Sequence, residues 1–248
     1  MLYFRRTLAI TAVLIVSIEA AADLVYESDF QSGVTTHWSS SDLSTDELGK
    51  VVLGLFKQET ISLTLPAQPT GEYGITFDFF NFNTCDGAEG DSFEFQTNGM
   101  TFIDASFDNF TSFPDLQTYS AATPLGGGPF PTGTDNTGTD LLRHTGTNGT
   151  LIGNLRYTPS FIFTHNGGDM TFLFIGKINQ PTVNFNGFPD EPWALDRVSV
   201  TTIPEPSMIP ILSLLGLVGA AVRWRQTPGS IRRRREGGQE LRARSSCR

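Results

Sequence analysis

Between Asp23 and Val200, apolar residues recur at every second position over short runs, and no stretch sustains the 3.6-residue period of an amphipathic helix. Ile61, Leu63 and Leu65 alternate with polar residues, as do Ile75, Phe77 and Phe79. Phe93 and Phe95 lead to Asn98-Gly99, the residue pair most favoured in two-residue hairpin turns. Because successive strand side chains point to opposite faces, such runs put one face on a core and the other toward water. Further strands are expected at Leu24–Phe30, Val51–Phe56, Ser160–His165, Met170–Ile175 and Leu195–Val200. The Asn-Gly turn would set Phe95 opposite Phe102 and Glu94 opposite Ile103. Gly, Pro, Asn and Asp separate the runs, so the fold expected is all-β, a β-sandwich or jelly roll. The chain's 20 phenylalanines suit such a core, since each buries a large apolar area. From Thr123 to Thr150, Gly, Thr, Asn and Pro dominate, which predicts a long loop crossing one end of this body.

The two ends have a different character. Arg5 and Arg6 precede an apolar stretch from Leu8 to Ile18, and Ala20–Ala22 offer a small-residue cleavage site before Asp23. About 11 apolar residues are roughly half of what a membrane-crossing helix needs. Residues 1–22 therefore read as a secretory signal helix, with an uncleaved anchor as the alternative. At the other end, Pro204, Glu205 and Pro206 cannot continue a strand, because proline lacks the donor and fixes φ. An apolar run from Met208 to Val222 follows, then Arg223 and Arg225, then Arg232, Arg233, Arg234 and Arg235. About 15 residues make roughly 22 Å of helix, short for a hydrocarbon core of about 30 Å. By the positive-inside rule these arginines stay cytoplasmic and leave the body outside.

The order of a Pro-Glu-Pro element, a short Leu/Gly/Ala-rich helix and an Arg cluster resembles the PEP-CTERM sorting signal of exopolysaccharide-producing Gram-negative bacteria. That resemblance covers residues 203–235. It implies recognition by an exosortase-type membrane protease and removal of the hydrophobic tail, with membrane attachment through the helix before processing. The product would lie at the cell surface, in the outer envelope or in an exopolysaccharide matrix. Tails of this kind usually stop after the basic cluster, whereas this chain continues as a basic segment over residues 236–248. An ordinary single-pass anchor is the alternative. A second, looser resemblance is to the lectin-like jelly-roll modules that often precede such tails. It rests on the layout from Leu63-Thr64-Leu65-Pro66 through Asp86-Gly87 and Gly90-Asp91-Ser92-Phe93 to Asp190-Glu191-Pro192-Trp193.

Charge narrows the functions of residues 23–202. Nine arginines against two glutamates beyond Val222, and two against one in the leader, hide the acidity of what lies between. With those eight positive charges set aside, the formal −9 becomes −17 for the region from Asp23 to Pro206. Such a body repels phosphate backbones, which argues against nucleic-acid binding. Cys85 is its lone cysteine, so it contains no internal disulfide.

Excess carboxylates suit a hard cation, which takes six to eight oxygen ligands, often from loops. The calcium candidates are Asp86, Glu89 and Asp91 in one segment and Asp190, Glu191 and Asp196 around Trp193. Asp135, Asn136 and Asp140 are scattered through the glycine-rich stretch. His37, His144 and His165 have no zinc-ligand spacing. Trp38 is the candidate for stacking on a sugar ring, while Trp193, at the start of the last strand, reads as core.

Two functional readings emerge. The first is a non-enzymatic surface or matrix protein that binds glycan or calcium, with no catalytic residue. The alternative is a secreted glycoside hydrolase, because Glu89-x-Asp91-x-x-Glu94 resembles in spacing the acidic motif of laminarinase-type enzymes. Retaining hydrolysis needs two carboxyl groups about 5–5.5 Å apart. On a regular strand Glu89 and Asp91 share a face while Glu94 points the other way, and Gly90 stands where that motif has an apolar residue.

Overall fold

In the computed structural model, which describes residues 21–83, 91–109, 117–147, 149–178 and 191–204, two long strands organise everything else. The chain-order strands are β1 (Leu24–Ser28), β2 (Leu43–Thr45), β3 (Val51–Phe56), β4 (Thr60–Phe82), β5 (Ser92–Thr97) and β6 (Met100–Ser106). They continue as β7 (Gly138–Thr139), β8 (His144–Thr145), β9 (Leu151–Ile152), β10 (Asn154–Tyr157), β11 (Ser160–Lys177) and β12 (Trp193–Thr202). All pairings are antiparallel, and there is no α-helix among the described residues. The main sheet runs β2-β3-β12-β4-β11-β5-β6, with β1 added to β12 and β10 joining β4 to β7. These residues all fall within one compact unit, Ala20–Glu205. Residues 1–20 of the leader and the sorting segment from Glu205 onward lie outside the described residues.

Strands β4 and β11 form a ribbon that folds over on itself. Phe174 stands in register beside Ile61, sixteen residues up β4 from Phe77. A straight strand would put about 50 Å between those positions, yet the rings of Phe77 and Phe174 meet edge to face at 5.1 Å. The fold-over lies where Pro66, Ala67 (φ 50°) and Pro69 face Gly167 (φ 90°) and Gly168 (φ 92°). Positive φ is open to glycine at little steric cost, and the ladder slips by one residue between Gly168 and Met170. Asp169 secures the corner by accepting the Ala67 N–H at 3.0 Å. The sequence splits this ribbon into four short strands. Its prolines and glycines mark a bend instead, and pairing continues through Gln68 and Gly168.

The two resulting layers enclose an aromatic core. Phe79 meets Phe93 at 4.2 Å and Phe77 meets Phe95 at 4.9 Å, while Trp193 lies 5.0 Å from Phe56 and 5.3 Å from Phe93. Burying side chains of this size stabilises by roughly 1.5–3 kcal/mol each before entropy is counted. The hairpin turn falls at Asn98 (φ 52°) and Gly99 (φ 73°) as the sequence indicates, but the register beyond it differs. Phe95 pairs with Ile103 and Glu94 with Asp104, because a bulge between Phe95 and Gln96 leaves Phe102 as the extra residue. The bulge buries Ile103 completely and lets Phe102 lie against Phe161 at 5.3 Å.

A second, smaller apolar cluster lies on the outer face. Phe80 and Phe82 point away from the main core by strand parity and are covered by Leu142 of the glycine-rich segment and Ile152 of β9. Much of that segment is folded rather than a free loop. Asp46 accepts the backbone N–H groups of Leu48 and Lys50 through Oδ1 and that of Arg143 through Oδ2. Asn154 accepts the N–H of Leu141 at 2.9 Å and donates to the Leu142 carbonyl at 2.7 Å.

Gly176 marks the tightest approach in the core. A β-carbon there would overlap the Lys57 carbonyl oxygen and Nε1 of Trp193, two atoms already joined by a 2.8 Å hydrogen bond. Gly176→Ala is expected to cost about 1–3 kcal/mol, as overpacking does, and to lower the thermal midpoint in a calorimetric scan. Gly153→Ala, where the nearest atom lies 3.7 Å away, serves as the tolerated control.

Candidate cation site beside Trp193

Three inward-facing strand runs end in polar residues at one place. Phe79 on β4 is followed two positions on by Asn81. Phe93 on β5 is preceded two positions back by Asp91, and Trp193 on β12 by Glu191. Strand alternation puts Asn81 on the inward face of β4, while Asp91 and Glu191 stand just outside β5 and β12 and are buried there, Glu191 with φ 52°. Register brings them together, since Trp193 pairs directly with Asn81. Asn81, Asp91 and Glu191 line one small cavity with Phe79, Phe93, Phe107 and Trp193. All three are buried, at 1%, 0% and 1% exposure.

The cavity holds about 10 Å³, room for one body the size of a water molecule and none for an organic ligand. Both polar atoms of the Asn81 amide lack a hydrogen-bond partner. Leaving such a group unsatisfied in a core costs about 1–3 kcal/mol. Two carboxylates and an amide carbonyl, with no sulfur or imidazole, are a hard, oxygen-only donor set. Among the described residues no group of three His, Cys, Asp or Glu side chains is assembled. The remaining sequence candidates Asp86, Glu89 and Asp190, like Cys85, lie outside the described residues.

Asp196 does not join this site, a correction to its place among the calcium candidates. It lies on the outer face of β12 in register with Asp78, and both carboxylates are 1% exposed. Three cations offset the pair. Lys50 reaches Asp196 at 3.1 Å, Arg156 approaches Asp78 at 3.8 Å, and Arg197 donates Nε–H to Asp78 at 2.6 Å. Burial pushes the Asp196 carboxyl above its usual range, with Lys50 pulling the other way.

The other candidates have separate settings. Asp91 continues the inward face of β5, whereas Glu94 points outward and bonds Lys177 Nζ at 2.7 Å. Lys177 also bonds Asp104 at 2.9 Å. Trp38 is half-buried, donates its indole N–H to Tyr26 Oη at 2.7 Å and lies 5.5 Å from both Phe30 and Phe174. Its ring thus packs on the core rather than standing free of it. His165 is buried between Asn98 Oδ1 and the Gly168 carbonyl. Of the sorting motif, Pro204 is described, just beyond the bond from the Ile203 N–H to the Glu72 carbonyl at 2.8 Å.

No family model matches the chain, and no curated protein matches it. Solved structures offer loose superpositions. Dimeric latent PorU from Porphyromonas gingivalis matches with a TM-score of 0.38 at 11% identity, over 73% of this chain and 12% of that one. A family 35 carbohydrate-binding module from Clostridium thermocellum gives 0.28 at 12% identity, over 72% of this chain and 86% of that one. A module from Cellvibrio mixtus lichenase 5A, in complex with cellotriose, gives 0.30 at 10% identity, over 73% of this chain and 100% of that one. At these scores the matches assign neither a family nor a ligand to the chain.

The Lys177 hydrogen bond holds the Glu94 carboxyl below its ordinary value of 4.5, against the effect of burial. A depressed folded pKa means the carboxylate stabilises the fold above the ordinary value, and that contribution is lost as pH falls through the lower folded value. Glu94→Gln should therefore cost about 1 kcal/mol at neutral pH. It should also flatten the acid limb of a stability-against-pH curve below about pH 4.5, as urea titrations would show.

Proposed function

We propose that this chain is an exported, non-enzymatic protein of the surface or exopolysaccharide matrix of a Gram-negative bacterium. Its folded body holds a calcium ion in the cavity lined by Asn81, Asp91 and Glu191. The observation that carries the reading is the convergence of two buried carboxylates on a buried amide whose polar atoms have no protein partner. A cation of calcium's size suits a space of about 10 Å³ and supplies what the Asn81 carbonyl lacks. Asp86 and Glu89 stand within five residues of Asp91, and Asp190 adjoins Glu191, so further oxygens are close along the chain.

Export through residues 1–22 and sorting through residues 203–235 by an exosortase-type membrane protease complete the proposal. It rests there on the leader and on the Pro204-Glu205-Pro206, apolar and arginine order. A role without catalysis is supported by Asp91 and Glu94 belonging to opposite faces of one strand, with Glu94 held by Lys177. Laminarinase-type hydrolysis would use Glu89 with Glu94, and Glu89 lies outside the described residues.

Calcium added to the chelator-treated chain should raise its melting temperature. At a hundredfold excess over Kd the gain is about 2.7 kcal/mol, or roughly 5–10 °C for a body of this size. Asp91→Asn and Glu191→Gln should each remove the shift, while Asp196→Asn should leave it. A wild-type chain indifferent to calcium would exclude the site. For sorting, intact-mass analysis of exported protein should find a chain ending near Pro206, and a product retaining Arg223–Arg235 would exclude tail removal.

A further inference from the structure

We propose that a cleft between the 117–137 segment and the β10–β11 turn binds a single neutral sugar ring, with Tyr119 and Asp135 closing on its hydroxyl groups. The cleft measures about 320 Å³ and is lined by Tyr119, Asp135, Thr137, Ser160 and Phe161, with Pro124 and Pro159 at its margins. That volume is at the small end of the range of about 300–1,000 Å³ for small-molecule sites. It fits one ring rather than a long chain. The inference rests on the reading of the chain as a matrix protein only in naming a sugar, and the cleft itself belongs to the body wherever the chain is delivered.

Tyr119 is the built element. The residue is 3% exposed, its ring packed on Phe107 at 4.5 Å and on Tyr157 at 5.5 Å. Its side chain makes ring contacts and lies within reach of the Asp135 charge, and its hydroxyl makes no hydrogen bond to a protein group. Burial, helped by Asp135, pushes the phenol up to about 12, so at physiological pH it is a proton donor. Asp135 accepts the Ala121 N–H through Oδ2 at 2.8 Å, which leaves Oδ1 as an acceptor. A phenol donor and a carboxylate acceptor lining one cleft match a hydroxyl group, which gives one hydrogen bond and accepts another.

The rest of the lining agrees with a polyhydroxylated ring. Thr137 and Ser160 supply hydroxyls, and Phe161 supplies an apolar surface backed by Phe95 at 5.7 Å. No basic side chain lines the cleft among the described residues, and Asp135 would repel a carboxylate or phosphate, which selects a neutral sugar. Two other hollows lack such a group. One of about 480 Å³ along β1 is bordered by Glu27 and Asp29, and one of about 220 Å³ adjoins Asn98 and Gly99. In the first the Tyr26 hydroxyl is already engaged by the Trp38 indole N–H, and the second has no phenol among its described lining residues.

The test is titration calorimetry of the full chain in mild detergent with methyl glucoside, methyl galactoside, methyl mannoside, N-acetylglucosamine and glucuronate. At least one neutral sugar should bind with one-to-one stoichiometry, and glucuronate should bind more weakly. Tyr119→Phe keeps the ring packing and removes one donor, and Asp135→Asn keeps the bond to Ala121. Each should weaken binding about tenfold, the size of one hydrogen bond in a desolvated site, with the melting temperature unchanged. Absence of binding by every neutral sugar would overturn the proposal, as would equal affinity in both variants. Failure of tail processing would leave these titrations unaltered, so the two readings fail separately.

Discussion

The aromatic contact across the folded β4/β11 ribbon is the constraint on which the body depends. A single antiparallel ribbon as long as β4 would expose half of its apolar side chains if it stayed straight. Doubling it back at Pro66–Pro69 and Gly167-Gly168 lets Phe77 reach Phe174 and Phe95. One continuous sheet thereby supplies both layers of its own core. The neighbours follow from this: β5 and β6 extend the layer containing the far half of β11, while β12, β3 and β1 extend the layer containing the far half of β4. The asymmetry between faces also follows, because Phe80 and Phe82 on the outside need the cover that Leu142 and Ile152 provide.

Much of this body is legible in the sequence, and the misreadings have physical causes. Alternation places the inward faces of β4 and β5 correctly, whereas in β11 the buried parity switches at the slip between Gly168 and Met170. Pro66, Pro69 and Gly167-Gly168 look like strand ends to local propensity, since proline removes a ladder donor and glycine relaxes φ. Whether such residues end a strand or bend it is decided by the partner strand a hundred residues away. The bulge at Phe95 is hidden for the same reason, because the Asn98-Gly99 turn fixes register only as far as the ladder stays regular. The 123–150 stretch has loop composition, and its order comes from distant anchors such as Asp46.

The candidate sites show the same division. Asp91 and Glu191 stand out in sequence as acids in two separate clusters, each two positions from an inward aromatic, but the turn at Glu191 (φ 52°) that brings it inward is set by the fold. Asn81 carries no such signal, because a lone asparagine after Phe79-Phe80 reads as the end of a strand. Asp196 looks equivalent to Glu191 in sequence, but it sits within β12 on the outer face, beside Asp78 and Lys50, whereas Glu191 precedes the strand. The Tyr119–Asp135 pair carries no signal in the sequence, since fifteen residues of Gly- and Pro-rich chain separate a donor from an acceptor that only the folded segment brings near.

The placement of β12 has a mechanical meaning. It is the last strand before the Pro-Glu-Pro exit, yet it lies inside the sheet, with β4 on one side and β3 and β1 on the other. Its end is clasped to the start of the body, where Thr202 and Asp23 exchange bonds at 2.9 Å. Tension transmitted through residues 203–206 would load two flanking ladders in shear, lengthwise, instead of unzipping an edge one rung at a time. Drag on an anchored copy would thus meet the sheet along its most resistant direction.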